Sequence, residues 1–248
     1  MYKYDLHVQT SSFAPKYQDA PDAGRVVEAY LEAGYTGIVL TNPWGYIPFK
    51  RDDYIFKSPE ELADEFMSAY EELKEKAGKD LDVFLGAEVT FRHCVNEYLF
   101  FGLDREYLDE FDYLCIYALK STPDIIKRMH QRGNVLIYQA HPFMPYSRVF
   151  EEIYQMRYSH IDRQEKIDGL ELYIEHDADK ANHFLARRWV DHYKTPVISG
   201  SGFSRTGDKV GGGIETEERI RDNSDLLRIL RSEKYRLICG GVTEDVQI

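Results

Sequence analysis

The chain has 248 residues, 43% apolar and 30% charged, the proportions of an ordinary globular domain. Its formal net charge of −12 and isoelectric point of about 5.2 repel a nucleic-acid backbone and an anionic membrane surface, which leaves room for a local basic pocket around a small anion. Cys94, Cys115 and Cys239 are widely spaced, which excludes both a disulfide framework and a CxxC zinc site.

The opening MYKYDLHV is polar, and no apolar run reaches the roughly 18 residues of a membrane span, so a reducing, cytoplasmic setting is expected. In chain order, Tyr2–Val8 is a predicted strand. Ala23–Ala33 has helical spacing and ends at Gly34, a residue suited to a helix C-terminus. Thr36–Thr41 is nearly all apolar, as buried parallel strands are. Ser58–Ala77 opens on Ser-Pro-Glu-Glu, which supplies an N-cap, a first-turn proline and acids against the helix dipole, and it closes at Gly78. Leu81–Val89, Tyr98–Leu103 and Tyr113–Tyr117 read as strands, followed by a helix over Thr122–Arg132 and a strand over Val135–Gln139. Gly169–Ile174 and Val197–Ser199 flank a helix over Ala178–Tyr193; Asp225–Ser232 and Tyr235–Cys239 are the last helix and strand.

Alternating strands and helices predict a parallel α/β sheet with crossovers, and about seven such units favour a barrel over an open doubly wound sheet. No repeat, low-complexity tract or linker interrupts residues 1–248, so a single domain is expected. The longest irregular stretches, Asn42–Lys57, Phe143–Phe150 and Ser201–Glu215, each follow a strand, where barrel sites are built.

Chemistry-bearing residues gather at those strand ends. His7 and Gln9 share a face by the period of two. Glu88 ends the run Leu-Gly-Ala-Glu, and His141 lies in Gln-Ala-His-Pro, where Pro142 stops the strand. Two imidazoles and a carboxylate converging from three strands make a catalytic-zinc ligand set with an open position for water. Taken singly, each histidine reads more readily as an ordinary hydrogen-bonding residue than as a ligand, and an arginine would satisfy a buried Glu88 as well as a metal would. Arg92, Arg148, His176 and Arg205 follow the same strand ends and suit an anionic substrate, although each also reads as a solvated loop charge. Gly211-Gly212-Gly213 offers backbone N–H groups to a phosphate.

Five segments resemble the motifs of the PHP (polymerase and histidinol phosphatase) family, in that family's order. Asp5-Leu6-His7-Val8-Gln9 is similar to its His-x-His strand, and Thr41-Asn42-Pro43 falls where it has Thr-Asp-His. Gly86-Ala87-Glu88 resembles its bridging-glutamate segment, Ala140-His141-Pro142 its His-Pro motif, and Ser199–Ser204 its late Gly-Ser-Asp-x-His. The resemblance implies a distorted seven-stranded (β/α) barrel and metal-dependent hydrolysis, mostly of phosphoesters, with two or three divalent ions.

The departures are specific. Gln9 stands for the second histidine, Asn42 and Pro43 for Asp and His, and Gly202 and Ser204 for the late Asp and His. Asn96-Glu97 lacks the histidine often found after the glutamate, although either residue can offer an oxygen. Gln and Asn amides are weak, neutral ligands, so at most one or two ions (Zn, Mn or Fe) are expected, the main ligands being His7, Glu88 and His141 and the auxiliary ones Gln9 and Asn42. The expected function is a metallohydrolase acting on a small phosphorylated or otherwise anionic substrate. His7, Glu88 and His141 would carry the catalysis, and Arg92, Arg148, His176 and Arg205 would bind the substrate. The alternative is an inactive descendant, without metal, that binds a small anion or a protein partner while Glu88 pairs a protonated imidazole. Nucleic acid is disfavoured by charge, and composition does not choose between monomer and dimer.

Overall fold

Local chemistry sets where the helices begin. Asp22 caps α1 (Ala23–Glu32) by accepting from Arg25 N at 2.9 Å, and Val26, Val27 and Tyr30 face inward at helical spacing. Ser58 opens α2 (Pro59–Ala77) with a reciprocal capping box: its hydroxyl accepts from Glu61 N at 3.2 Å, and Glu61 accepts from Ser58 N at 2.6 Å. The computed structural model describes residues 1–13, 17–45, 57–90, 96–110, 122–143, 167–175 and 180–245. The expected strand Tyr113–Tyr117, and all of the loop Phe143–Phe150 beyond its first residue, lie outside them.

The strands are β1 (Tyr2–Val8), β2 (Gly37–Leu40), β3 (Pro43–Gly45), β4 (Asp82–Thr90), β5 (Glu97–Phe101), β6 (Leu136–Gln139), β7 (Gly169–Ile174), β8 (Val197–Gly200), β9 (Gly213–Thr216), β10 (Arg236–Cys239) and β11 (Val242–Glu244). The remaining helices are α3 (Arg105–Glu110), α4 (Thr122–Arg132), α5 (Lys180–Tyr193) and α6 (Asn223–Ser232). Among the described residues no helix is long and apolar enough to cross a membrane.

One strongly curled sheet runs in the order β11-β10-β9-β1-β2-β4-β5-β6-β7-β8, with β3 beside β4. Two expectations are corrected. The path holds ten strands rather than seven, because the short strands β9 and β11 join β10 outside β1. The sheet is also mixed rather than parallel: β5 runs antiparallel to β4 and β6, and β9 antiparallel to β1 and β10. The reason for β5 is length. Residues 91–96 are all that separate β4 from β5, whereas a parallel return needs about a dozen residues.

Alternation divides the sheet into two apolar faces. Phe84, Leu99, Phe101, Leu136 and Tyr138 join one cluster with Tyr4, Leu6 and Leu170. Leu85, Ala87, Val89, Tyr98, Phe100 and Ile137, the residues between them, pack with Leu62, Phe66, Ile125 and Met129 of α2 and α4. Past β8 the chain returns to β1: Val8 bridges Phe203, Gln9 N donates to Phe203 O at 2.8 Å, and Phe203 N donates to His7 O at 3.3 Å. The far end of the path is thereby brought against its middle.

A buried carboxylate ties this junction. Asp5 accepts from His7 N at 3.0 Å, from Ser201 N at 3.0 Å and from Tyr30 OH of α1 at 2.8 Å. Burial pushes its pKa up to about 6 against those donors. Tyr30→Phe removes one donor from a fully buried acceptor and is expected to destabilise the fold by about 1–3 kcal/mol. Urea denaturation measures this, and an unchanged midpoint would show that Asp5 does not depend on Tyr30.

Candidate metal centre

The triad assembles at one end of the sheet because two backbone irregularities turn side chains that plain alternation would send elsewhere. Glu88 needs none: it continues the face of Phe84 on β4. In β1, Tyr4 and Leu6 lie in the same cluster as Phe84, so His7 should face away. A register shift between Asp5 and Val8 places His7 on the Glu88 side and Val8 in the cluster beneath α1. His141, two residues past β6, reaches Glu88 through a backbone with φ of 26°, a region that residues other than glycine seldom occupy.

His7 Nε2 lies 3.2 Å from Glu88 Oε1, and His141 Nε2 lies 3.3 Å from the same oxygen. One ligand atom from each of the three falls within 4.8 Å of the other two, and all three residues are buried. The two histidine–glutamate edges, 3.2 and 3.3 Å, match a tetrahedral site with metal–ligand bonds of about 2.0–2.2 Å. The donors thus fit a divalent ion in kind and in spacing. Glu97 Oε2 sits 3.2 Å from His141 Nε2 and adds a second carboxylate.

Gln9, in the position of the second histidine, donates from Nε2 to Glu88 Oε2 at 2.8 Å, while its buried Oε1 has no hydrogen-bond partner among the described residues. Asn42 is fully buried, but its Oδ1 accepts from Thr10 N at 2.8 Å and its Nδ2 donates to Thr10 Oγ1 at 3.2 Å, so its amide latches the end of β1. The guanidinium of Arg205 lies over the Tyr17 ring, 3.5 Å from its centroid. Arg92, Arg148 and His176 lie outside the described residues. The phosphate cradle expected at Gly211–Gly213 is corrected. Gly211 N and Gly212 N donate to Ser201 Oγ at 3.0 and 2.9 Å, and Gly213 N donates to Ser199 Oγ at 3.1 Å, so these amides are already used inside the protein.

Glu171 of β7 is a site residue that motif reading missed. It is 1% exposed; its Oε1 lies 2.9 Å from His7 Nδ1, and its Oε2 accepts from His141 N at 2.9 Å. The available signal was the one used for Glu88, a lone acid inside an apolar strand.

Burial opposes the imidazolium of His7, but the carboxylates of Glu171 and Glu88 outweigh it and push the pKa from 6.5 up to about 10. A raised folded-state value gives stability that is complete below the unfolded value and is lost as pH climbs through the folded one. Metal-free protein should therefore lose melting temperature between about pH 6.5 and about pH 10. His7→Gln should flatten that decline, since tyrosines titrate alike in both proteins. Parallel melting curves for the two would show that His7 is not the group responsible.

Fold and site together define a mixed α/β protein whose curled sheet carries a His–Glu–His group able to hold a metal. No family model matches the chain, and no curated protein matches it. Among solved structures it is similar to a two-domain protein from Bacteroides vulgatus described as containing a predicted PHP-like metal-dependent phosphoesterase. The TM-score is 0.60 at 15% identity, over 98% of this chain and 66% of that one. The chain thus spans just under two thirds of that protein's length. It is also similar to an amidohydrolase from Chromobacterium violaceum solved with sulfate and no metal, with a TM-score of 0.53 at 12% identity over 96% and 98% of the two chains. The likeness read from the motifs is therefore met in the fold, at identities that speak for the fold alone.

Proposed function

We propose that this chain is a metal-dependent hydrolase of the PHP type, a phosphoesterase acting on a small anionic substrate with one ion held by His7, Glu88 and His141. The observation that carries the proposal is the convergence of their ligand atoms within 4.8 Å at the end of the sheet. The return of the chain after β8 to β1 supports reading the curled strands as the barrel of that family, with β9, β10 and β11 added outside it.

A divalent ion at this position would supply Lewis-acid stabilisation of a phosphoryl oxygen and an acidified water. The chain's own groups do the rest. Glu88 gives the site one negative charge, and Gln9 fixes the rotamer of that carboxylate from its other oxygen. Glu97 Oε2, 3.2 Å from His141 Nε2, brings a second carboxylate beside the ligand atoms, where it can accept a proton. Arg205, whose guanidinium lies over the Tyr17 ring, is the cation we assign to the anionic substrate. The sulfate held by the amidohydrolase of similar fold is in keeping with an oxyanion ligand.

A second reading, an inactive descendant that binds an anion without metal, has one observation in its favour: His7 lies between two carboxylates that would hold it protonated. Metal analysis separates the two. Protein purified without chelator, or titrated with Zn, Mn or Fe, should hold roughly one equivalent per chain. It should hydrolyse aryl phosphates, and His141→Ala should abolish both properties. Absence of bound metal after titration would sink the hydrolase reading and leave the second. Unchanged stoichiometry in His141→Ala would place the ion elsewhere.

A further inference from the structure

The site holds a second buried carboxylate that is not one of the triad. Glu171 is reached by two donors that matter to metal binding, His7 Nδ1 at 2.9 Å and His141 N at 2.9 Å, one on each of its oxygens. It stands on β7, a strand that contributes no member of the triad, at a register shift between Glu171 and Tyr173 in the pairing with β8. Glu88 pairs with Leu99, Leu99 with Tyr138 and Tyr138 with Gly169, so ordinary alternation from Gly169 puts Glu171 on the face of the sheet that carries Glu88. Close packing leaves it little freedom. A Cβ at Gly200 would fall 2.7 Å from Glu171 Oε1 and 2.5 Å from His7 Cβ, so only glycine lets β8 pass against this pair.

We infer that Glu171 is a positioning residue that prepares both histidines for one metal ion; the inference rests on the metal site proposed above. With Glu171 accepting at Nδ1, the metal-binding form of His7 carries its proton on Nδ1 and offers the Nε2 lone pair toward Glu88 and the ion. The opposite tautomer would point an N–H at the metal and could not ligate there. The other oxygen holds the peptide N–H of His141, where φ is 26°. Releasing that bond lets the segment relax and swings the imidazole off Glu88. One carboxylate thus sets the tautomer of one ligand and the backbone of the other.

The geometry makes Glu171→Gln informative, because an amide cannot satisfy both donors. If its oxygen accepts from His7, its NH2 confronts the His141 N–H. If it flips, its NH2 donates to Nδ1 and forces His7 into the tautomer that cannot ligate through Nε2. Either arrangement loses one arm of the clamp while shape and volume are kept.

The test is zinc affinity by competition with a chromophoric chelator, together with long-range 1H–15N spectra of zinc-loaded, 15N-labelled protein. In the wild type His7 should carry its proton on Nδ1 and bind zinc through Nε2. Glu171→Gln should keep the wild-type far-UV circular dichroism and bind zinc about 10–100-fold more weakly, with the Nδ1 proton signal of His7 lost or altered. Equal affinity in the two folded proteins would overturn this inference and leave the metal site standing. A wild-type spectrum with the proton of His7 on Nε2 would overturn it without recourse to any variant. Failure of the wild type to bind zinc, manganese or iron would remove the metal site itself, and this role with it.

Discussion

Two carboxylates buried side by side constrain everything at this end of the sheet. Glu88 and Glu171 are each 1% exposed, and an uncompensated charge at that depth would drive the chain to unfold or the group to neutralise. Among the described residues the compensating groups include both ring nitrogens of His7, the ring and peptide nitrogens of His141, and the amide of Gln9. His7 is shared by both acids, which is why its pKa is pushed so far upward in the metal-free protein. A bound cation would take over that work, and the same cage would then exchange a proton for a metal.

Supplying those groups is what distorts the strands. β1 shifts register at His7, β7 shifts register at Glu171, and the chain after β6 takes a positive φ at His141. The departures at His7 and His141 turn imidazoles into the site that alternation would have kept out, whereas Glu171 faces it by the ordinary alternation of β7. The surroundings adapt in turn. Gly200 must lack a side chain to pass His7 and Glu171, and a Cβ at Gly212 would fall 1.9 Å from Gly200 O. That second close approach is secured by Ser201, whose hydroxyl accepts from Gly211 N and Gly212 N while its own peptide N–H donates to Asp5. The late Gly-Ser segment and the glycine run are therefore one packing unit that closes the chain after β8 onto β1.

Much of this was legible before any coordinates. β1, α4 and β7 match their predicted limits, and α2 opens where its capping box says, because these elements are dictated by short-range periodicity and capping. The triad was legible because three chemically meaningful residues stood at three strand ends. What escaped depended on tertiary context. The direction of β5 follows from a six-residue connection, 91–96, whose length was there to be counted. β9 reads as loop since Gly213-Ile214-Glu215-Thr216 has little strand propensity, and pairing with β1 and β10 makes it a strand. Glu171 escaped because motif matching assigns no role to that position, although burial chemistry does.

The substitution at residue 9 links the sequence to the number of ions the site suits. The resemblance casts Glu88 as a bridging ligand, which needs both carboxylate oxygens open to metal. Here Oε2 takes a hydrogen bond from Gln9 at 2.8 Å, and the two imidazoles converge on Oε1 alone. A histidine at position 9 would bring a lone pair to a second ion; glutamine instead brings a donor that occupies the oxygen that ion would use. In the one-ion site proposed above, Gln9 would hold the remaining carboxylate in place, so its hydrogen bond to Oε2 supports that reading alongside the departures from the histidine motifs.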